Sequence, residues 1–523
     1  MRDLIIGIDS GTSVIKAVAF DLTGRQIASS SVANSYLSGQ DGSATQSLDR
    51  TWADCTRALR ALGEKVTDLA RRTAAIAVTA QGDGTWLVDR DNRPVCDAWL
   101  WLDARAAPTV DVLGAKPENR ARFELTGTGL NTCQQGAQMA HMDRFFPALL
   151  DQADAALHCK DWLYLNLTGV RATDPSEASF TFGNFRTRRY EAEVFEALGL
   201  GHRRHLLPPI VEGTQTLHPL TASAAELSGL LEGTPVCLGY VDMVMTALGA
   251  GVYGGTGDAA CSIVGSTGVH MRATHIDGVH LNAEGTGYVM ALPVPDRVVQ
   301  AQTNMAAALN LDWVLSLGVD LLRDMGQNVT ARDLMERIEG WLEKAKPGQI
   351  AYHPYISEAG ERGPFVNATA RAGFIGLSAG HRYQDLVRAV AEGLGMAMRD
   401  CYVAMGNLPS ELRLSGGAAR SRGLRSVLSA AINAPVRVSE REEAGAAGAA
   451  MMAAVAIGAY PDMEACVNEW VTPLLAAPEA PDAELAAAYD RLFPAFQSAR
   501  QALVPAWTQL AAARDATLQR NTI

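Results

Sequence analysis

The chain has 523 residues, more than one compact core holds, so two or three domains are expected at roughly 100–200 residues each. Its residues are 48% hydrophobic and 20% charged, an ordinary globular composition. The net charge is −12 with Lys and Arg scattered, and the lack of a basic block sets nucleic acid aside as a partner.

The N-terminus reads Met1-Arg2-Asp3, then the apolar run Leu4–Ile8, then Asp9. That run is too short for a signal-peptide core or a bilayer span, which predicts a cytoplasmic chain with no membrane partner. Eight cysteines (55, 96, 133, 159, 237, 261, 401, 466) include no C-x-x-C pair. They are expected to be free thiols, mostly buried. Asn166, Asn328 and Asn367 open N-x-T triplets, which mean nothing without secretion.

Leu4–Ile8 predicts a strand closed by Asp9-Ser10-Gly11-Thr12. Residues 15–20 and 26–32, divided by Leu22-Thr23-Gly24, extend it into a three-strand meander. Trp52, Cys55, Leu59, Leu62, Val66 and Leu69 recur at helical spacing, with Asp49 as the expected N-cap. Ala75–Thr79 is the next strand, and it ends at Gln81-Gly82-Asp83-Gly84. Polar residues thus stand twice at strand ends, where open α/β sheets bind ligands. Residues from about 105 to 230 read as mixed helices and loops. A second α/β unit starts near residue 257: strand Ala259–Val264, turn Gly265-Ser266-Thr267-Gly268, strand Val269–Ala273. The echo of the first unit implies one domain type used twice. From about 458, proline breaks and an Ala-rich segment with Tyr489, Leu492 and Phe493 predict a helical extension.

Several of these segments can carry chemistry. Gly11, Thr12 and Ser13 in a strand-to-strand turn offer backbone N–H groups and hydroxyls to an anion. Asp9 before them can hold Mg²⁺ through water, and Lys16 adds a positive charge. The same residues also suit a plain hairpin. Gly265, Ser266 and Thr267 form a second such turn, open to the same two readings. A phosphate chain gripped from two sides needs one loop on each domain. Ser415-Gly416-Gly417-Ala418-Ala419-Arg420-Ser421 lies at a strand–helix junction, where paired glycines permit either close ligand approach or tight packing. Asp242 follows the apolar run Val236–Leu238 and opens an apolar helix, so it is an N-cap or a general base.

Other chemistries are set aside. Gly249-Ala250-Gly251-Val252-Tyr253-Gly254 fits G-x-G-x-x-G, but its glycines follow a helical pattern and open no helix. There is no Walker A sequence and no protein-kinase motif set. His202 and His205 lack partners at metal spacing. G-x-S-x-G and H-E-x-x-H are absent.

Together these motifs resemble the FGGY carbohydrate kinase family, in family order, from Ile6 to about Phe493. Gly7–Ser13 resembles the first phosphate motif. Gln81-Gly82 and Trp101-Leu102-Asp103-Ala104-Arg105 resemble the sugar-contacting segments. Gly239–Asp242 resembles the segment with the catalytic Asp, and Gly265–Gly268 the second phosphate motif. Gly360-Glu361-Arg362 with Arg371–Leu377 resembles the C-terminal signature. Ser415–Ser421 is similar to the adenosine motif, and Glu443–Ala450 to the helix after it. Ser415 stands where the family has a first glycine, and Lys16 where it often has Arg, which makes any phosphate contact there a point charge.

The resemblance implies an α/β fold of two actin-like (ribonuclease H-like) ATPase domains around a central cleft. The expected division is 1–253 for an N-terminal domain, 254–457 for a C-terminal domain and 458–523 for the helical extension. The implied activity is transfer of the ATP γ-phosphoryl group to a terminal hydroxyl of a small polyol or sugar. Asp242 is then the base, and Asp9 the Mg²⁺ carboxylate. Gly11, Thr12, Ser13, Lys16, Gly265, Ser266 and Thr267 hold phosphates. Gly416, Gly417, Ala418 and Ser421 line the adenosine site. Gln81, Asp83, Trp86, Trp101, Asp103, Arg105 and Asp242 contact the substrate, although each Trp equally suits a core. Gly82 and Asp83 stand where glycerol kinases carry Arg and Glu, and the Met-His pair of xylulose kinases is missing. Ala80–Leu87 is most similar to the erythritol kinases and more distantly to L-xylulose-type kinases. A pentulose kinase, a non-catalytic sugar sensor and an actin-like ATPase are the competing readings, and a homodimer is one expected assembly.

Overall fold

Strand-forming runs separated by short turns build two sheets of one design. A computed structural model describes residues 2–255 and 258–520. The expected start of the second unit near residue 257 lies outside the described residues. The first sheet contains β1 (Leu4–Ser10), β2 (Val14–Asp21), β3 (Gln26–Ala33), β4 (Thr73–Ala80), β5 (Leu217–Pro219) and β6 (Pro235–Leu238). Its order is β5-β6-β4-β1-β2-β3. β1, β2 and β3 run antiparallel as the expected meander, whereas β4 and β6 lie parallel to β1.

Among the helices of this lobe are α1 (Leu48–Lys65), α2 (Pro175–Phe182) and α3 (Asp242–Gly249). The N-cap of α1 is Ser47, whose hydroxyl accepts from Arg50 N at 3.3 Å. This corrects the expected Asp49 cap: Asp49 lies in the first turn, where its charge suits the helix dipole. The helix also stops at Lys65, and Leu69 starts a separate short turn. Leu59 and Leu62 of α1 pack on Ile6, Ile8 and Val78 of the sheet.

The second sheet contains β7 (Ala259–Val264), β8 (Gly268–His275), β9 (Tyr288–Ala291), β10 (Arg297–Asn304), β11 (Glu411–Ser415) and β12 (Val436–Val438). Its order is β9-β10-β8-β7-β11-β12. Again a central strand has antiparallel neighbours on one side and parallel ones on the other. The predicted echo is thus real at the level of topology, with β5 and β9 as added edge strands. Helices α4 (Ala308–Asp324), α5 (Tyr383–Ala404), α6 (Arg422–Ile432) and α7 (Ala444–Ala456) follow.

α7 belongs to the second lobe in sequence but packs in a core shared by both lobes. Phe20 of the first sheet, Leu248 of α3, Met271 and Met290 of the second sheet and Ala450 of α7 meet there. Beyond α7 the chain is helical, with α8 (Met463–Trp470) and α9 (Ala483–Arg520). Trp470 packs on Phe20 at 5.6 Å between ring centroids, while Tyr489 and Phe493 join the second lobe's core. The extension therefore straddles both lobes. Seven of the eight cysteines are buried and all are free. Among the described residues no helix is long and apolar enough to cross a membrane.

Candidate active site

Strand register gathers the polar segments at one edge. Ser10 pairs with Ala80, and Val78 with Leu238. The turn after β1, the loop after β4 and the segment after β6 therefore leave the sheet side by side at its carboxyl edge. Gln81 N donates to Ser10 O and Gly239 N to Val78 O, both at 2.9 Å. In the second lobe Ile263 pairs with Ser415, which sets the Gly265–Gly268 turn beside Gly416. A Cβ on Gly416 would stand 2.7 Å from Val264 O, and its φ is +88°, so a side chain there would push the loops apart.

Asp9, next to last in β1, is half-buried. Asp242 is the first residue inside α3, after Val241, and its Oδ1 accepts from Met243 N at 2.7 Å. It is therefore not the N-cap that one reading of the sequence made it. Burial, and then repulsion from Asp9, push Asp242 up to about 7. Burial raises Asp9 to about 6, with Lys16 opposing and Glu443 adding to the rise. The start of α7 lies against this pair, since a Cβ on Gly445 would overlap Asp9 Oδ2. Glu443, just before α7, binds Lys16 Nζ at 2.7 Å. Lys16 is thus engaged across the lobes.

The first turn is tied to the substrate-side loop. Thr12 Oγ1 donates to Gln81 Oε1 at 2.7 Å and accepts from Trp101 Nε1 at 2.9 Å. Gln81 Nε2 donates to Gln46 Oε1 at 2.8 Å. Gly11 N closes the turn on Val14 O at 3.0 Å, and Ser13 is exposed at its tip. Trp101 keeps 36% of its surface open. Asp83 and Gly84 both have positive φ, +57° and +76°, a sharp loop that turns the Asp83 carboxyl inward. Burial raises its pKa.

In the second lobe Ser266 and Thr267 are exposed at their turn. The carbonyls of Ser266 and Gly265 accept from Ala307 N and Ala308 N at 2.8 Å, which anchors the turn to the start of α4. Gly417 is open, with nothing within 4 Å of its Cβ position.

Other expected contacts are spoken for. Trp86 has no exposed surface and lies in the first lobe's core, so packing, not a substrate face, explains it. Asp103 is fully buried, accepting from Ala44 N and from the backbone and guanidinium of Arg105. Arg105 is clamped in that pair, 3.5 Å above the Trp99 ring. Both residues shape the loop and are committed before a substrate arrives. Ala418 is buried, so no open surface of its own faces a nucleotide. Ser421 caps α6, accepting from Leu424 N and donating to Glu339 Oε1 at 2.7 Å.

A buried charged cluster beneath this site was missed from sequence. Lys160 Nζ lies 2.9 Å from Asp161 and 2.7 Å from Asp174. His158 bridges Asp161 and Glu177, both at 3.2 Å. Burial lifts Glu177 to about 8 despite His158. Glu177 Oε1 lies 3.3 Å from where a Gly82 Cβ would be, and that Cβ would also overlap Val241. Gly82 is therefore fixed by the Glu177 and Val241 side chains behind it. The available signal was Asp174-Pro175-Ser176-Glu177, which marks a helix start but not a place.

Two lobes of one topology, with carboxylates gathered at strand ends between them, define an actin-like α/β fold. Residues 4–249 match the N-terminal domain, and residues 256–457 the C-terminal domain, of the FGGY family of carbohydrate kinases. The chain belongs to the FGGY family of carbohydrate kinases, and as a member it uses ATP. It is 68% identical to an erythritol kinase of Brucella abortus over 98% of each chain. It is 29% identical to a xylulose kinase of Escherichia coli over 96% of this chain and 99% of that one. A gluconate kinase structure from Lactobacillus acidophilus superposes with a TM-score of 0.87 at 20% identity, over 97% of this chain and 99% of that one.

Proposed function

We propose that the chain transfers the γ-phosphoryl group of ATP to a terminal hydroxyl of erythritol. The observation that carries this reading is the 68% identity, over nearly the full length, with a relative named for erythritol. The Gln81-Gly82-Asp83 loop supports it, because Gly82 leaves no room for the bulkier residues expected in glycerol or xylulose kinases. Residues 1–253 supply the polyol site and the first phosphate turn, 254–457 the second turn and the adenosine site, and 458–523 the helical extension.

Asp242 accepts the proton of the attacking hydroxyl, and Gln81, Asp83 and Trp101 orient the polyol. Gly11, Thr12 and Ser13 from one lobe and Gly265, Ser266 and Thr267 from the other hold the phosphates. Gly416 and Gly417 let the adenosine approach the backbone. Asp9 fits a Mg²⁺ role: it is a half-buried carboxylate next to the end of a strand, beside the first phosphate turn. Among the described residues no group of three or more His, Cys, Asp or Glu could hold a metal. Asp9 would therefore bind the ion with water and nucleotide oxygens completing the shell. When bound, Mg²⁺ supplies charge neutralisation for the phosphates. Lobe closure excludes water and limits ATP hydrolysis.

A coupled ADP-release assay over erythritol, glycerol, xylulose isomers and other small polyols tests the reading. Erythritol is expected to give the highest kcat/KM; a higher value for a pentulose would reassign the substrate. The same assay yields a pH profile. Asp242 must be ionised to take a proton, and burial beside Asp9 places its pKa at about 7. The kcat/KM for the polyol is therefore expected to fall about tenfold per unit below pH ~6 and to level off above pH ~8. A profile flat from pH 5 to 9 would exclude this base.

A further inference from the structure

The carboxyl of Asp83 is held from the opposite lobe. Asp83 is only 9% exposed, and its Oδ1 is buried without a hydrogen-bond partner. Its Oδ2 accepts from the hydroxyl of Tyr288 at 3.4 Å. Asp83 belongs to the loop after β4 in the first lobe, whereas Tyr288 opens β9, the edge strand of the second sheet.

The placement of Tyr288 is over-determined. Its ring meets Phe180 of α2 edge-on, 5.8 Å between centroids at 85°. Its hydroxyl lies 3.4 Å from Cys133 Sγ. The backbone on both sides of it is stitched to the first lobe: Gly129 N donates to Gly287 O at 2.9 Å, and Val289 N to Thr128 Oγ1 at 3.1 Å. Arg362, also from the second lobe, adds positive charge toward Asp83.

A buried carboxylate oxygen without a donor is costly, and a substrate hydroxyl is a donor of the right kind. We infer that Tyr288 is a positioning residue of the polyol site: by holding one oxygen of Asp83, it keeps the other aimed at a substrate hydroxyl. The second lobe thereby takes part in choosing the polyol, and the site is complete only while the lobes stay docked along this seam. The inference rests on the polyol-kinase reading above. Tyr288 acts by removing freedom that Asp83 would otherwise lose on binding.

Kinetics with erythritol and ATP varied separately test it, using Tyr288→Phe, Asp83→Asn and the double variant. Tyr288→Phe keeps the ring and the seam, so it is expected to fold and melt as the wild type does. It should raise KM for erythritol about five- to tenfold, the usual size of one lost hydrogen bond. It should leave kcat within about twofold and KM for ATP unchanged. Asp83→Asn should raise the erythritol KM at least about tenfold, and the double variant should be no worse, because Tyr288 works through Asp83. An unchanged erythritol KM in Tyr288→Phe, multiplying losses in the double variant, or equal losses in both substrates would each overturn the inference. Should the wild type phosphorylate no polyol, the functional reading fails by itself. Calorimetric binding of erythritol to wild type and Tyr288→Phe then decides the inference separately: weaker binding in the variant supports it, and equal or absent binding overturns it.

Discussion

Replacing Asp242 with alanine is expected to cut turnover at least about 100-fold while nucleotide affinity stays within about twofold, from the usual size of general-base effects. That factor corresponds to about 2.7 kcal/mol of transition-state stabilisation. Asp242→Asn is the sharper probe, because an amide oxygen can still accept from Met243 N, as Oδ1 does now. Shape and helix start survive, and only the base is lost. Stability gives a second readout. The Asp242 pKa is raised from 3.8 to about 7 in the fold, by burial first and the Asp9 charge next. The folded state therefore holds a proton that the unfolded chain releases, and its stability falls as pH rises from about 4 through about 7. Asp242→Asn escapes that loss. Its melting temperature should exceed that of the wild type at pH 8, with the gap closing toward pH ~4. Normal turnover in either variant would deny Asp242 the role of base, and an Asp242→Asn protein that melts lower than the wild type at pH 8 would deny it the strain.

That carboxylate shows how far the sequence reaches. An Asp opening an apolar helix after a short strand was legible as a cap or a base, because both uses need a carboxylate at a helix start. Only the register from β1 through β4 to β6 sets it beside Asp9. The strand–turn–strand halves were legible because strands buried on both faces read as apolar runs, and their Gly, Ser and Thr ends mark the turns. Trp86 and Trp101 were indistinguishable as residue types; one fills a core and the other donates to Thr12. Glu177 and Tyr288 drew no reading from the sequence, and each gains its meaning from a neighbour supplied by tertiary structure. Glu443–Ala450 was legible only as a segment similar to the family's helix after the adenosine motif, and the reason for its small residues lies in what it touches.

That reason makes Gly448→Ala damaging although it adds a single methyl. α7 is buried on every side from Gly445 to Ala454, wedged between the first sheet and α3. A Cβ on Gly448 would overlap the Met245 carbonyl oxygen, one on Gly249 would overlap that of Ala444, and one on Gly7 would overlap that of Ala446. In each case the obstacle is backbone, which cannot swing aside as a side-chain tip can. The helices must part instead, at a cost of roughly 3 kcal/mol, the upper end of ordinary overpacking. Met245 lies one turn from Asp242 on α3, so the same displacement shifts the base, and turnover should fall with stability. Gly63→Ala on α1 is the control: nothing lies within 4 Å of its Cβ position. Alanine favours a helix over glycine by about 1 kcal/mol, so this variant should melt at or above the wild type with full activity. Thermal melts and erythritol turnover of the two variants side by side give the test. A Gly448→Ala protein that melts with the wild type would mean that α3 and α7 slide freely, and the lobes would then not be joined by this contact.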